Sequence, residues 1–268
     1  MNYQNSYIVS CQFLGFRFHG WQKQPDVKTI HFIIDKTLKF VLKKSRFKTI
    51  GVGRTDAKVS SLNYYFQLFV DKPIDKNIFI NSFNLNSPSD LRVSSIKIIK
   101  DVKFNLIQHP KVKEYHYYFS NNGKNHPYAA PFMTGFNNLD IDLMKKGAKL
   151  FEGKHYFHKY CSNPTEKTIF KREIEFSKIK VNSYLSADFF PKISYAFIVR
   201  GKGFLRYQIR LMMAVLIELG KYNISLNDIV NSLVEDNDRE PFYVIVPGSG
   251  LHLFSVEYLE ADNLFEIF

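Results

Sequence analysis

Short segments rich in β-branched and aromatic residues alternate along this chain with segments of helical periodicity, and this alternation constrains its fold most strongly. Strand-like segments are residues 7–13, 49–52, 62–70, 91–99, 115–119, 174–181 and 195–200. The spacing of apolar residues predicts helices over 30–42, 78–84, 143–151 and 204–219, the first with Thr29 as its N-cap and the last ending at Gly220. Each half of the chain therefore combines strands with packed helices, and we place the boundary between the halves near Phe104.

The charge balance of the 268 residues is strongly basic. There are 37 Lys and Arg against 25 Asp and Glu, which gives a formal net charge of +12. Such an excess of cations favours a polyanionic partner such as nucleic acid. Frequent Lys, Asn, Ile and Phe would also follow from an AT-rich genome, so charge alone leaves both interpretations open.

Two cysteines, Cys11 and Cys161, stand without Cys-x-x-Cys spacing and without a histidine cluster. The sequence therefore predicts neither a disulfide framework nor a metal site, and a reducing cytoplasm fits this usage. No run approaches the roughly 20 apolar residues of a membrane span, and the polar start of the chain gives no reason to expect export. We expect a cytoplasmic protein with no membrane partner.

The segment 53–56, Gly-Arg-Thr-Asp, follows a strand-like segment and presents a guanidinium and a carboxylate on a flexible turn. Read alone, such a turn is commonly a surface ion pair between Arg54 and Asp56. Extended to residue 59, however, the segment reads GRTDAKV and resembles the signature of the TruA family of tRNA pseudouridine synthases. The catalytic aspartate of that family corresponds to Asp56.

Further segments resemble motifs of the same family, in the same order. Residues 13–22 read FLGFRFHGWQ, like its N-terminal strand and Gly-Trp-Gln loop. Residues 113–117 read KEYHY, like its Lys-x-Tyr-x-Tyr strand, although alternating tyrosines are also common in half-buried strands. Residues 203–210 read GFLRYQIR, like its Phe-Leu-x-x-x-(Val/Ile)-Arg segment. Residues 247–253, PGSGLHL, resemble its Gly-Leu segment, and alone would indicate a turn and a core strand. The resemblance spans residues 7–258.

The resemblance implies an α+β pseudouridine synthase fold, with two lobes around a mixed, mainly antiparallel central sheet, flanking helices and a basic cleft. We expect an N-terminal lobe over residues 1–103 that carries the aspartate loop, and a C-terminal lobe over residues 104–268 that carries the tyrosine and arginine of the site. The resemblance also implies tRNA as substrate, in the anticodon stem-loop around positions 38–40, together with a homodimer and no cofactor.

Asp56, Arg210 and Tyr115 are the catalytic residues that the resemblance implies. The apolar neighbours of Arg210 on its predicted helix indicate partial burial and the need for an anionic partner, and the resemblance supplies Asp56. A nearby guanidinium would hold this carboxylate ionised although burial opposes ionisation. Contacts with substrate are implied for Arg54, Leu251, Trp21, Gln22 and Lys58.

The chain departs from the family pattern at several positions. Lys58 and Ser60 stand where the family usually has Gly and His, Leu14 replaces an acidic residue, and residues 104–107, FNLI, lack the common His-Ala-Arg. Two alternatives therefore stay open. One is a pseudouridine synthase for another tRNA site or RNA, and the other is a non-catalytic basic RNA-binding protein in which Asp56 and Arg210 form only a structural ion pair.

Overall fold

A computed structural model of the protein describes residues 3–101, 103–235, 244–259 and 264–265. The chain divides into two compact units: unit 1 is Met1–Lys111 with Leu253–Phe268, and unit 2 is Val112–His252. The first segment of unit 1 ends at residue 111, whereas the sequence analysis places the end of the N-terminal lobe at residue 103. The C-terminal segment returns to unit 1 because its strand lies beside an N-terminal strand, a long-range pairing that sequence reasoning did not anticipate.

Unit 1 is built on an antiparallel sheet. Its elements are β1 (Asn5–Phe13), α1 (Ile30–Val41), β2 (Phe47–Gly51), β3 (Ser60–Val70), α2 (Lys76–Asn86), β4 (Leu91–Ile98) and residues 253–258 of β10 (Leu251–Tyr258). The strand order is β4-β1-β3-β10, and β2 also pairs with β3. Antiparallel registers join β1 to β3 and β4, and β2 to β3.

The helices of unit 1 begin at side-chain caps and bury one face each. Thr29 Oγ1 accepts a hydrogen bond from the N–H of Phe32, which confirms the predicted N-cap of α1. Ile34 and Leu38 on α1 are fully buried. In α2, Phe79 and Phe83 are buried in the same way. Removing apolar surface of this size from water stabilises each helix by about 1.5–3 kcal/mol per side chain.

The described part of unit 2 combines mainly antiparallel strands with three helices. Its elements are β5 (Lys111–Ser120), β6 (Thr134–Gly135), α3 (Ile141–Lys149), β7 (Gly153–Tyr156), β8 (Lys171–Val181), β9 (Tyr195–Gly201), α4 (Gln208–Gly220) and α5 (Leu226–Asn231). The strand order is β5-β9-β8-β7. All of these pairs are antiparallel, and β6 runs parallel to β5. The expected α+β class with mixed, mainly antiparallel strands is confirmed.

Helix α4 is the buried centre of unit 2, but it begins later than its periodicity predicts. The sequence indicated a start at Phe204, whereas the structure begins the helix at Gln208 because Tyr207 has a left-handed φ of 62°. The buried Gln208 side chain accepts a hydrogen bond from Leu205 N–H (2.8 Å), and the Gln208 backbone N–H donates to Leu205 O (3.2 Å), so these bonds hold a turn before the helix. Residues 204–206 are therefore free of the helix and available to line a site.

Within the described ranges, no helix has the length and apolar character needed to cross a membrane.

Candidate active site

The Asp56 carboxylate lies in the connection between β2 and β3, as the sequence predicts. Val59 N–H donates to Asp56 O (3.2 Å), and this hydrogen bond closes a turn in which Lys58 has a left-handed φ of 66°. Asp56 is half-buried, whereas Arg54 and Lys58 are exposed. The turn therefore places an exposed cation on either side of a partly buried carboxylate.

Main-chain hydrogen bonds join this turn to the Gly-Trp-Gln segment. Trp21 N–H donates to Thr55 O (3.2 Å), and Lys58 N–H donates to Phe18 O (2.9 Å). The two motifs lie more than 30 residues apart in the sequence, yet they form one structure around Asp56. The position of the carboxylate is consequently fixed by both segments.

Two glycines allow these backbones to approach each other. Gly20 has φ of 81°, and a Cβ there would lie 2.4 Å from Thr55 O. A Cβ at Gly15 would lie 2.0 Å from Val59 O, and Gly15 N–H donates to Ser60 Oγ (2.9 Å). Ser60, which departs from the family pattern, is therefore a buried acceptor that helps to hold the loop.

Trp21 supports the loop from inside unit 1. Its indole is only 3% exposed and stacks on Tyr64 and His31 at centroid distances of 4.1 Å and 5.2 Å. Tyr64 Oη in turn donates to Gly53 O (2.5 Å). Trp21 therefore packs within unit 1, and the substrate contact expected of it stays a prediction. Gln22, the next residue, is exposed.

Tyr115 lies on β5 opposite Val199 of β9 and is 9% exposed. Phe204, in the segment before α4, packs edge to face against it, with ring centroids 5.4 Å apart and planes at 85°. Edge-to-face aromatic pairs contribute about 0.5–1.5 kcal/mol beyond their burial. The Lys-x-Tyr-x-Tyr strand and the start of the Phe-Leu segment therefore meet within unit 2.

Arg210 lies in the first turn of α4 and is half-buried, as its apolar neighbours predict. Its Nε donates to Val246 O (2.8 Å). Its guanidinium carbon lies 4.9 Å from the centre of the Tyr207 ring, which is a cation–π geometry. These two contacts orient the guanidinium.

Tyr117 ties β5 to the segment that precedes β10, a role that the sequence analysis did not identify. Its Oη donates to Pro247 O (2.9 Å) and lies 3.1 Å from Thr134 Oγ1. Burial raises the pKa of this phenol, so it stays protonated and donates. Position 117 shares a strand face with Tyr115, and that periodicity is the signal that could have indicated it.

The Gly-Leu segment is packed closely against this tyrosine. A Cβ at Gly250 would lie 2.7 Å from Tyr117 Cζ, so the segment passes directly over the ring. Leu251, expected beside the uracil, is the first residue of β10 and is 6% exposed.

The opposite face of β5 carries a buried polar network that the sequence analysis also missed. His116 bonds Glu114 Oε1 through Nε2 (2.7 Å) and Tyr118 Oη through Nδ1 (3.0 Å). The Tyr118 ring meets His252 edge to face at 5.1 Å, and His252 Nε2 lies 2.9 Å from Phe132 O. Burial lowers the pKa of His252 to about 4, so its imidazole is neutral at pH 7 and donates to that carbonyl.

The expected site residues thus fall into two groups. Unit 1 carries Trp21, Gln22, Arg54, Asp56 and Lys58 on its two joined segments, and unit 2 carries Tyr115, Arg210 and Leu251. The ion pair between Asp56 and Arg210 and the basic cleft stay predictions. In the described part of the chain, no three His, Cys, Asp or Glu side chains are arranged to hold a metal ion.

Comparisons with known proteins agree with the motifs. Residues 148–259 match a family model described as tRNA pseudouridine synthase. The chain is 30% identical over 257 residues to the tRNA pseudouridine synthase A of Lactobacillus acidophilus, a match that covers 95% of this chain and 94% of that protein. It is 28% identical over 253 residues to the tRNA pseudouridine synthase A of Dictyoglomus thermophilum, covering 93% and 98%. The matches to these relatives extend over both units.

Proposed function

Because this chain belongs to the TruA family of tRNA pseudouridine synthases, which are isomerases, we propose that it converts uridine to pseudouridine in the anticodon stem-loop of tRNA, around positions 38–40. The observation that carries this proposal is the Asp56 turn. The Gly-Trp-Gln segment holds it through two main-chain hydrogen bonds, in a chain that matches a relative along 95% of its length. We further propose that the enzyme acts in the cytoplasm as a homodimer.

The reaction that we assign to Asp56 detaches uracil from the ribose at N1 and attaches it again through C5. The bond between N1 and C1′ breaks, the base turns, and C5 bonds to C1′, after which C5 loses its proton and N1 gains one. Oxidation state and composition do not change, so the proposed chemistry calls for no cofactor. Asp56 acts as an anion, either by attacking the ribose covalently or by removing a ribose proton to give a glycal intermediate.

Arg210 is proposed to keep that carboxylate ionised and oriented. Its guanidinium is already held by a carbonyl hydrogen bond and an aromatic ring, so it loses little side-chain entropy on pairing. An adjacent cation favours the ionised form of a carboxyl group, which offsets the effect of partial burial. Tyr115 would lie against the base, and Phe204 packs edge to face against its ring.

The RNA contacts are assigned to the exposed residues of the same segments. Arg54 and Lys58 flank Asp56, and Gln22 follows the buried Trp21. Guanidinium and ammonium groups bind backbone phosphates, and a uridine must leave its stack before a carboxylate can reach its ribose. We therefore assign these three side chains to binding and flipping the target nucleotide, and Trp21 to supporting them.

The target is tested by mapping pseudouridine in unmodified tRNA transcripts after incubation with the purified protein. We expect modification within positions 38–40 and none when cytidine replaces those uridines. Pseudouridine at other positions would favour the alternative of another tRNA site or RNA, which the departures from the family pattern at Lys58, Ser60 and Asn105 suggest. Tight binding without pseudouridine in any transcript would favour the non-catalytic alternative. Light scattering of the purified protein tests the homodimer.

A further inference from the structure

Unit 2 contains a cavity of about 340 Å³ that the proposed reaction does not use. Its wall comes from three places: the loop of residues 161–169, Arg172 on β8, and residues 204–206 before α4. The volume lies at the lower end of the range for small-ligand sites, which is roughly 300–1,000 Å³. Residues 204–206 precede α4, which begins at Gln208, and their side chains line this space.

The lining of the cavity is cationic. Lys167, Arg172 and Arg206 contribute to it, and no acidic residue stands among its described lining residues. Cys161 also lines it, but burial raises the pKa of its thiol, although Arg172 and Arg206 oppose that shift, so the group carries no charge at pH 7. Three positive charges thus surround a space that holds no compensating negative group among those residues.

Arg172 is the strongest sign that this space takes an anion. It is half-buried, and burial lowers the pKa of its guanidinium without discharging it. Arg172 Nη1 donates a hydrogen bond to Lys171 O (3.0 Å), and this carbonyl is an uncharged acceptor. Partial desolvation of a cation costs free energy that an anionic ligand would offset.

One wall of the cavity is also part of the proposed site. Phe204 lines the cavity and packs edge to face against Tyr115 at 5.4 Å. A group bound in the cavity is therefore separated from the tyrosine that we assign to the uracil by a single aromatic ring.

We propose that Lys167, Arg172 and Arg206 bind a backbone phosphate of the RNA substrate, one belonging to a nucleotide close to the target uridine. This inference rests on the proposed function, since it assumes that RNA is the substrate. The chemistry recognised is that of a phosphate diester, held by charge-assisted hydrogen bonds from the two guanidinium groups and the ammonium group.

The test compares two double variants that lower the net charge equally. Lys167→Gln with Arg206→Gln removes two exposed cations of the cavity, and Lys180→Gln with Lys192→Gln removes two exposed cations elsewhere in unit 2. Arg172 is left unchanged because it is half-buried. Binding of unmodified tRNA transcript is measured across a range of KCl concentrations. For the cavity variant we expect affinity to fall roughly tenfold and the salt dependence, as d log K/d log [salt], to shrink by about 0.7–0.9.

Single neutral methylphosphonate linkages in the transcript identify the phosphate. We expect one linkage near the target uridine whose neutralisation weakens binding to wild type and to the control variant, but not to the cavity variant. Absence of such a linkage, with wild-type turnover intact, overturns the phosphate site and leaves the proposed function standing. Inorganic phosphate that binds through Arg206 and is not displaced by tRNA also overturns it, because the cavity then takes a free anion. Wild-type protein that neither binds nor modifies tRNA overturns both proposals.

Discussion

Replacing Gly20 with alanine should displace the Asp56 turn while leaving every reactive group in place. The new Cβ would lie 2.4 Å from Thr55 O and 3.1 Å from the carbonyl carbon of Asp56. Both neighbours are backbone atoms, so no side-chain rotation relieves the contact. Thr55 O must move by about 1 Å to reach the ordinary contact distance of 3.4 Å, and it would weaken its hydrogen bond from Trp21 N–H as it moves.

Two terms set the magnitude of this effect. Gly20 has φ of 81°, and the left-handed region costs an alanine about 1–2 kcal/mol. Forcing a methyl group into a packed region costs about 1–3 kcal/mol more. We therefore expect the free energy of unfolding to fall by roughly 2–5 kcal/mol, a loss that leaves a protein with a stability of about 10 kcal/mol folded. A displacement of about 1 Å at a catalytic group should lower the rate of pseudouridine formation about 100-fold.

Gly123 provides the matched control. It has φ of 76°, and a Cβ there meets no atom within 4 Å, so Gly123→Ala carries the conformational cost without the contact. Urea unfolding and single-turnover pseudouridine formation are measured for both variants. The difference between them should be about 1–3 kcal/mol in stability, with the rate loss confined to Gly20→Ala. Equal stability losses and equal, unimpaired rates would refute the claim that the Gly20 backbone positions the catalytic turn.

Three further substitutions test the support of the loop and the buried polar network. Tyr64→Phe removes the 2.5 Å hydrogen bond to Gly53 O and should lower stability in urea by about 1 kcal/mol, and an unchanged midpoint would contradict this role. Lys58→Gly removes the steric cost of the left-handed φ of 66° but increases the conformational entropy of the unfolded chain. The free energy of unfolding should therefore rise by no more than about 1 kcal/mol, and a loss above about 1 kcal/mol would contradict this reasoning. His252 has its pKa lowered from 6.5 to about 4 by burial, so proton uptake favours the unfolded state. Stability should fall as pH drops below about 6.5, by roughly 3 kcal/mol in total near pH 4, and His252→Gln should lose this part of the dependence. Identical pH profiles would exclude His252 as its source.

The sequence predicted most elements because their signals are local. Thr29 caps α1 through its own side chain, and the strand segments carry their aromatic and β-branched residues in consecutive positions. The start of α4 was misjudged because helical periodicity continues through Tyr207, while the chain turns left-handed at that residue. A buried Gln208 side chain stabilises that turn, and no single-residue propensity indicates it.

The site was predicted as a set of motifs but not as a structure. Nothing local in the sequence says that Gly20 lies against Thr55 O, because their contact depends on how two separate segments pack. The stacking that buries Trp21 involves Tyr64, which lies far along the chain, so the motif alone could not predict it. The left-handed φ at Lys58 accounts for the glycine that the family usually has at this position, since glycine adopts that conformation at lower cost, but nothing in the structure explains the lysine.

The measurement that tests the central claim most directly is single-turnover pseudouridine formation by wild type and Asp56→Asn on the same tRNA transcript, with binding measured in parallel. The substitution preserves size and removes the charge on which either chemical route depends. We expect wild type to modify the tRNA and Asp56→Asn to bind it comparably while losing roughly 10⁴-fold or more in rate. Turnover by Asp56→Asn at a rate near that of wild type would show that another group performs the chemistry.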